Sequence, residues 1–293
     1  METYRTPDAR FENLPGYPFA PHYTEFDGMR MHHLDEGEGE PILLMHGEPT
    51  WSYLYRKMIP PLTSRFRCIA PDYLGFGRSD KPLRIDDYTY DLHSASIRAL
   101  VERLDLRDVT VVVQDWGGPI GLRVATEMPE RFKRLVVLNT GLFASSKSWP
   151  TPGFMQWRNF AERVGLEMPV ARIMQASTAT ELDDATLAGY EAPWPVAESK
   201  AGVAAFPLLV PISAEDASAA AMLEVMDALR GWDIPALVCW SDSDPVFPLK
   251  AGHAMAALLP GSGGRVHELT GASHMLQEDR GEEIARLILD FAR

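Results

Sequence analysis

The chain has 293 residues, 46% of them hydrophobic and 24% charged, enough for one large buried core with or without an inserted subdomain. A formal net charge of −13, with no compensating block of Lys or Arg, argues against a nucleic-acid partner or an anionic membrane surface, because either would repel the protein at long range. Its two cysteines, Cys68 and Cys239, each sit in an apolar run and support neither a disulfide framework nor a zinc cluster.

The first 20 residues are polar and proline-punctuated, without an apolar core of signal-peptide length. No stretch approaches the ~20 apolar residues a membrane span needs, so a soluble cytoplasmic protein is expected. From about residue 23 to 139, short apolar runs alternate with amphipathic stretches, the pattern of a mostly parallel sheet with crossover helices. Strands are predicted at 23–26, 29–34, 42–45, 66–70, 109–113 and 135–138, with helices at 53–62, 91–104 and 118–128. The rhythm breaks between 140 and 230, where aromatic residues, prolines and Ala-rich pieces read as an inserted, mainly helical cap. Strands at 236–240 and 265–269 and a helix at 284–291 then complete the pattern. The expected organisation is α/β: an eight-stranded, mostly parallel sheet built from 1–139 and 231–293, with 140–230 placed over the strands' carboxyl ends, where such sheets bind ligands.

The strand at 109–113 runs into Val113-Gln114-Asp115-Trp116-Gly117-Gly118. A strand, a polar residue, then small residues and a helix-forming stretch is the context of a nucleophile elbow, in which the position two after the nucleophile must be small. Here that nucleophile is an aspartate. A serine that displaces a leaving group from an sp³ carbon is trapped as an ether, whereas a carboxylate forms an ester that water can cleave at its carbonyl. Asp115 therefore suits alkyl transfer followed by hydrolysis; the alternative is a capping Asp at a helix start.

An elbow nucleophile needs a later acid and then a histidine. His274, in Gly271-Ala272-Ser273-His274 after the last predicted strand, fits the histidine, with an ordinary exposed loop residue as the alternative. The acid should leave the preceding strand, and Ser241-Asp242-Ser243-Asp244-Pro245 offers Asp244, with Asp242 as the second choice. Asn139-Thr140-Gly141 provides no carboxylate after the strand before that. Two backbone N–H donors for an oxyanion are expected from Trp116 and from Glu48 in the loop His46-Gly47-Glu48-Pro49. His46 is read as a structural histidine. Gly75-Phe76-Gly77-Arg78-Ser79 lacks a third glycine and reads as a turn, and the adjacent His32 and His33 alternate across a strand and make no metal site.

Together, His46-Gly47-Glu48-Pro49-Thr50-Trp51, Asp115-Trp116-Gly117-Gly118, Asp244 and His274 make the chain resemble the haloalkane dehalogenase family of α/β hydrolases over nearly its whole length. It is most similar to the subfamily whose acid follows the seventh strand and whose second halide donor is a cap tryptophan. The resemblance implies that Asp115 is the nucleophile, His274 the general base and Asp244 its orienting acid, with Trp116 binding the departing halide. The segment Gly153-Phe154-Met155-Gln156-Trp157 resembles the family's cap segment and makes Trp157 the second halide donor, with Trp149 and Trp194 as fallbacks. Phe143, Phe154 and Phe206 are candidate pocket walls or packing residues. The implied partners are a small apolar halogenated alkane, halide ion and water; no cofactor or metal is needed and a monomer is expected.

Two other readings stay open. An epoxide hydrolase shares the Asp nucleophile but needs acidic hydroxyls, typically paired cap tyrosines, and the insert holds Tyr190 alone. A catalytically silent hydrolase fold could instead bind a small apolar ligand.

Overall fold

The computed structural model describes residues 1–142 and 150–293. Eight strands form its main sheet: β1 (His22–Phe26), β2 (Met29–Glu36), β3 (Glu40–Met45), β4 (Phe66–Pro71), β5 (Val109–Val113), β6 (Phe132–Val137), β7 (Ala236–Ser241) and β8 (His267–Leu269). Their spatial order is β8-β7-β6-β5-β3-β4-β2-β1. β2 runs antiparallel to both β1 and β4, and the remaining pairs are parallel.

Sequence accounts for this order locally. β5 is Val-Thr-Val-Val-Val, buried at every position, as suits a central parallel strand covered on both faces. β1 and β2 are joined through Asp27 and Gly28, both at positive φ, the backbone that a two-residue hairpin turn demands. The strand order reverses between β3 and β5, so the loops after these two strands open a crevice at the sheet's carboxyl edge.

Ten α-helices lie among the described residues. Three fall between strands of the first half, α1 (Ile59–Leu62), α2 (Tyr90–Arg103) and α3 (Gly117–Glu127), and α4 (Pro152–Val164) opens the insert between β6 and β7. The insert continues with α5 (Val170–Ala176), α6 (Asp184–Glu191), α7 (Ala201–Leu209) and α8 (Ala219–Arg230), the last packing against α3. α9 (Leu249–Leu258) and α10 (Leu276–Phe291) follow β7 and β8. α7 is apolar nearly all round and buried from Ala201 to Pro207, so it is sandwiched between the insert and the sheet's edge. Insert residues Met168, Tyr190, Val203 and Phe206 share one continuous apolar core with the sheet.

Several expected boundaries move; the strand expected at 135–138, for instance, runs from Phe132 to Val137. The helix expected at 53–62 divides into a 3-10 turn, Ser52–Tyr55, and α1, because Pro60 and Pro61 lack the N–H groups that a continuous helix would use. The final strand shortens to three residues at the sheet edge. The closing helix starts at Leu276 instead of 284, immediately after the His274 loop, and is interrupted at Arg280, whose φ of −137° is not helical. No helix among the described residues is long and apolar enough to cross a membrane.

Candidate active site

Asp115 is held at φ +48°, a left-handed conformation that costs a non-glycine residue energy and persists only when its surroundings enforce it. They do so through three hydrogen bonds. The Asp115 N–H donates to the Asn139 carbonyl at 2.8 Å, and its own carbonyl accepts from Thr140 Oγ1 at 2.5 Å and Gly118 N at 2.9 Å. A side chain at Gly117 would strike the Met45 carbonyl, and one at Gly118 would strike Thr140, so the two glycines are steric requirements of the turn. The carboxylate stands at the N-terminus of α3, where aligned peptide dipoles favour negative charge.

Around Asp115 the structure assembles the expected residues from loops far apart in sequence. The Glu48 N–H donates to Asp115 Oδ1 at 2.8 Å. On the other side, His274 Nε2 lies 3.5 Å from Asp115 Oδ2, and His274 Nδ1 is 2.9 Å from Asp244 Oδ2. Asp244 follows β7, and its second oxygen accepts the N–H groups of Val246 at 2.6 Å and Phe247 at 3.0 Å, which fixes the carboxylate's direction. Asp242 instead accepts the N–H groups of Gly271 at 3.0 Å and Ala272 at 3.3 Å and so shapes the His274 loop. The Trp116 amide, the other expected oxyanion donor, makes no bond to Asp115 in this resting site.

Electrostatics follow from this packing. Burial disfavours the charged form of His274, but the Asp244 charge and the contacts with Asp115 outweigh it and push the imidazole up to about 10. Burial, reinforced by the neighbouring Asp115 charge, pushes the Glu48 carboxyl well above the usual range. His46 is the structural histidine expected. Its Nε2 accepts the Tyr73 N–H at 3.3 Å, leaving Nδ1–H to donate to the Gly47 carbonyl at 2.9 Å, and burial holds it down at about 4.

A cavity of about 1290 Å³ opens above these groups, lined by Asp115, Trp116 and His274 below and by Phe154, Trp157 and Ile173 of the insert. The tryptophans differ in what their indole N–H groups do. Those of Trp51, Trp194 and Trp240 donate to the carbonyls of Gly189, Gly75 and Phe247. Trp116 and Trp157 line the cavity and have no acceptor among the described residues. Trp194 is thus occupied elsewhere, while Trp149 and Phe143 lie outside the described residues. Phe206 packs edge-on beneath Trp116, with ring centroids 4.9 Å apart, and braces that indole without lining the cavity. Tyr190 is fully buried, donates its hydroxyl to Glu278 and does not line the cavity.

Several positioning residues carry no signature in the sequence. Gln114 Nε2 donates to the His274 carbonyl at 3.2 Å, and Asn139 Nδ2 donates to Ser241 Oγ at 2.6 Å and the Ser273 carbonyl at 3.2 Å. Both flank strand ends, and the only available signal was an amide residue just past the end of a strand that leads into a candidate site loop. The Phe247 ring lies 5.8 Å from that of His274, beyond anything its spacing announces.

The fold and the elbow define an α/β hydrolase, and residues 40–281 match the family model for the alpha/beta hydrolase fold. A haloalkane dehalogenase of Mycobacterium marinum is 46% identical over 299 residues, covering 99% of this chain and 100% of the relative. Another, from Psychrobacter cryohalolentis, is 42% identical and covers 99% of this chain and 98% of its own. Among solved structures, the tetrameric haloalkane dehalogenase of Paraglaciecola agarilytica superposes with a TM-score of 0.92 at 34% identity, over 98% of this chain and 97% of that one. The chain belongs to the haloalkane dehalogenase family.

Proposed function

We propose that the protein hydrolyses carbon–halogen bonds of haloalkanes through an alkyl ester on Asp115. The observation that carries this reading is an aspartate at the elbow with a histidine ring nitrogen 3.5 Å from its carboxylate. In the first step Asp115 Oδ2 attacks the halogen-bearing carbon, the carbon–halogen bond breaks with its electron pair, and the halide leaves toward the indole N–H groups of Trp116 and Trp157, which have no acceptor among the described residues. An apolar wall with isolated N–H donors suits an anion leaving into a water-poor space.

Alkylation converts the Asp115 charge into a neutral ester and so removes one of the two carboxylates that raise His274. The imidazole then releases its proton and becomes a base. It takes a proton from water, the water oxygen attacks the ester carbonyl, and the oxyanion forms on the oxygen facing the Glu48 and Trp116 amides. Collapse breaks the bond between the Asp115 carboxyl carbon and the alkyl oxygen, which leaves as the alcohol with the second proton of the attacking water. Asp115 is restored as the carboxylate and His274 as the protonated imidazole, so the halide and the one proton that His274 released earlier leave to solvent. The scheme requires no cofactor and no metal.

In this reading residues 140–230 act as the cap, and 1–139 with 231–293 as the core. The cavity of about 1290 Å³ is ample for a small haloalkane. Tyr190, tied to Glu278, speaks against epoxide opening, because no tyrosine lines the cavity among the described residues. We take the chain to act in the cytoplasm as a monomer, in contrast to the tetramer of the P. agarilytica relative, and light-scattering mass in solution checks the latter.

The test is halide release from 1-bromobutane and 1-bromooctane, with Asp115→Ala as the blank. Release that vanishes in the variant supports the reading. Turnover of styrene oxide without halide release would replace it by epoxide hydrolysis, and saturable binding without turnover by a ligand-binding role.

A further inference from the structure

The short loop that carries His274 is fastened from two bodies. From the core, Asp242 holds the Gly271 and Ala272 amides, Asn139 holds the Ser273 carbonyl and Gln114 holds the His274 carbonyl. From the insert, the Ser177 carbonyl at the end of α5 accepts the Met275 N–H at 2.8 Å. Asp279, in the first turn of α10, completes the fastening. Its Oδ2 accepts the Ser273 N–H at 2.9 Å and the Ala179 N–H at 3.0 Å, and its Oδ1 accepts the Thr180 N–H at 2.8 Å.

One carboxylate therefore joins the residue just before the base to two backbone amides of the insert. Charge-assisted bonds of this kind are stronger than neutral ones, and a single anion shared by both segments makes their positions interdependent. Among the described residues Asp115 has no bond to the 177–180 segment. Its bonds run to Glu48, to Gly118 in the first turn of α3, and to Asn139 and Thr140 in the loop after the core strand β6.

We propose that Asp279 is a positioning residue that couples seating of the cap segment 177–180 to the alignment of His274, so that the hydrolytic step responds to cap docking more steeply than the alkylation step. This rests on the two-step reading above. The cap must admit substrate and release alcohol, and a base loop fastened to it is aligned when the cap is seated and relaxed when it lifts.

The experiment separates the two steps by rapid-quench kinetics with 1-bromobutane, reading the halide burst for alkylation and the steady state for ester hydrolysis. Asp279→Ala is expected to slow hydrolysis at least tenfold more than alkylation, to accumulate the alkyl-enzyme, and to quicken amide hydrogen exchange at Ser273 and Met275. Asp279→Glu should recover part of the loss. Asp216→Ala is the control: it removes a carboxylate that accepts the Ile212 and Ser213 amides in the same insert, with no link to the base loop. It should leave the ratio of the two steps unchanged. If Asp279→Ala folds poorly, Asp279→Asn, which keeps one acceptor oxygen, gives the same readout. Equal slowing of both steps, or no change in their ratio, overturns the coupling while leaving dehalogenation intact. A wild-type enzyme that releases no halide from any bromoalkane removes the reading beneath it.

Discussion

His274 Nε2 stands 3.5 Å from Asp115 Oδ2 while its Nδ1 bonds Asp244 at 2.9 Å. The shorter contact orients the ring; the longer is at the limit of a hydrogen bond and leaves the imidazole facing the Asp115 carboxylate, the group esterified in the proposed mechanism. In the proposed mechanism a ring clasped between two carboxylates, its pKa raised to about 10, is freed for base chemistry when one of them is esterified.

The same clasp links stability to pH. The folded-state value of about 10 lies above the ordinary 6.5, so the protonated imidazole stabilises the fold fully below pH ~6.5, and the contribution is lost as pH rises through about 10. Melting curves between pH 6 and 10.5 should show the wild-type Tm falling relative to that of His274→Phe across this window. A constant difference between the two proteins would contradict the raised imidazole.

Asp244 and Asp242 should separate cleanly. Asp244→Ala leaves His274 without its orienting acid and should lower steady-state turnover by ~10³ to 10⁴ with the halide burst largely preserved. Asp242→Ala unfastens two loop amides, of which only that of Ala272 is buried, and should cost stability of about 1 kcal/mol, with a milder kinetic effect. Stopped-flow halide release and denaturant midpoints on the two variants distinguish these outcomes.

Trp116→Phe and Trp157→Phe each delete one indole N–H from the cavity. Each should slow the halide burst by roughly 10²–10³, the effect of removing one donor from a site of developing charge, and should weaken bromide quenching of tryptophan fluorescence. Trp194→Phe, whose N–H is spent on the Gly75 carbonyl, should leave the burst rate near wild type.

In the proposed mechanism Glu48 acts through its backbone N–H. Its carboxyl is pushed far above the usual range by burial and by Asp115, so Glu48→Gln preserves both the neutral side chain and the N–H donor. Turnover should change by less than about tenfold, below ~1.4 kcal/mol. A loss of several orders of magnitude would assign the carboxyl a role of its own.

The sheet was legible because β5 and β3 are short, mostly apolar strands that end in chemistry-bearing loops, and the elbow's glycines are required by local sterics. Asp115, Asp244 and His274 each follow a strand end, so their convergence could be read from order alone. Asp242 and Asp244, two residues apart after one strand, could not be separated without the N–H groups that each accepts. Trp157 could be weighed against Trp194 only once their N–H partners were known, since composition treats all tryptophans alike. The break between Ser52–Tyr55 and α1 was hidden because the apolar spacing at 53–62 suits a helix and the prolines act only through missing donors. Gln114, Asn139 and Asp279 act through long-range contacts to the His274 loop, and no local pattern encodes such contacts.

The most direct measurement is intact-mass spectrometry of His274→Phe exposed to 1-bromobutane, followed by peptide mapping. The expected result is one equivalent of bromide released and one butyl group retained as an ester on Asp115. Continuous turnover without an adduct, or a butyl group carried by any other residue, would contradict covalent catalysis by Asp115.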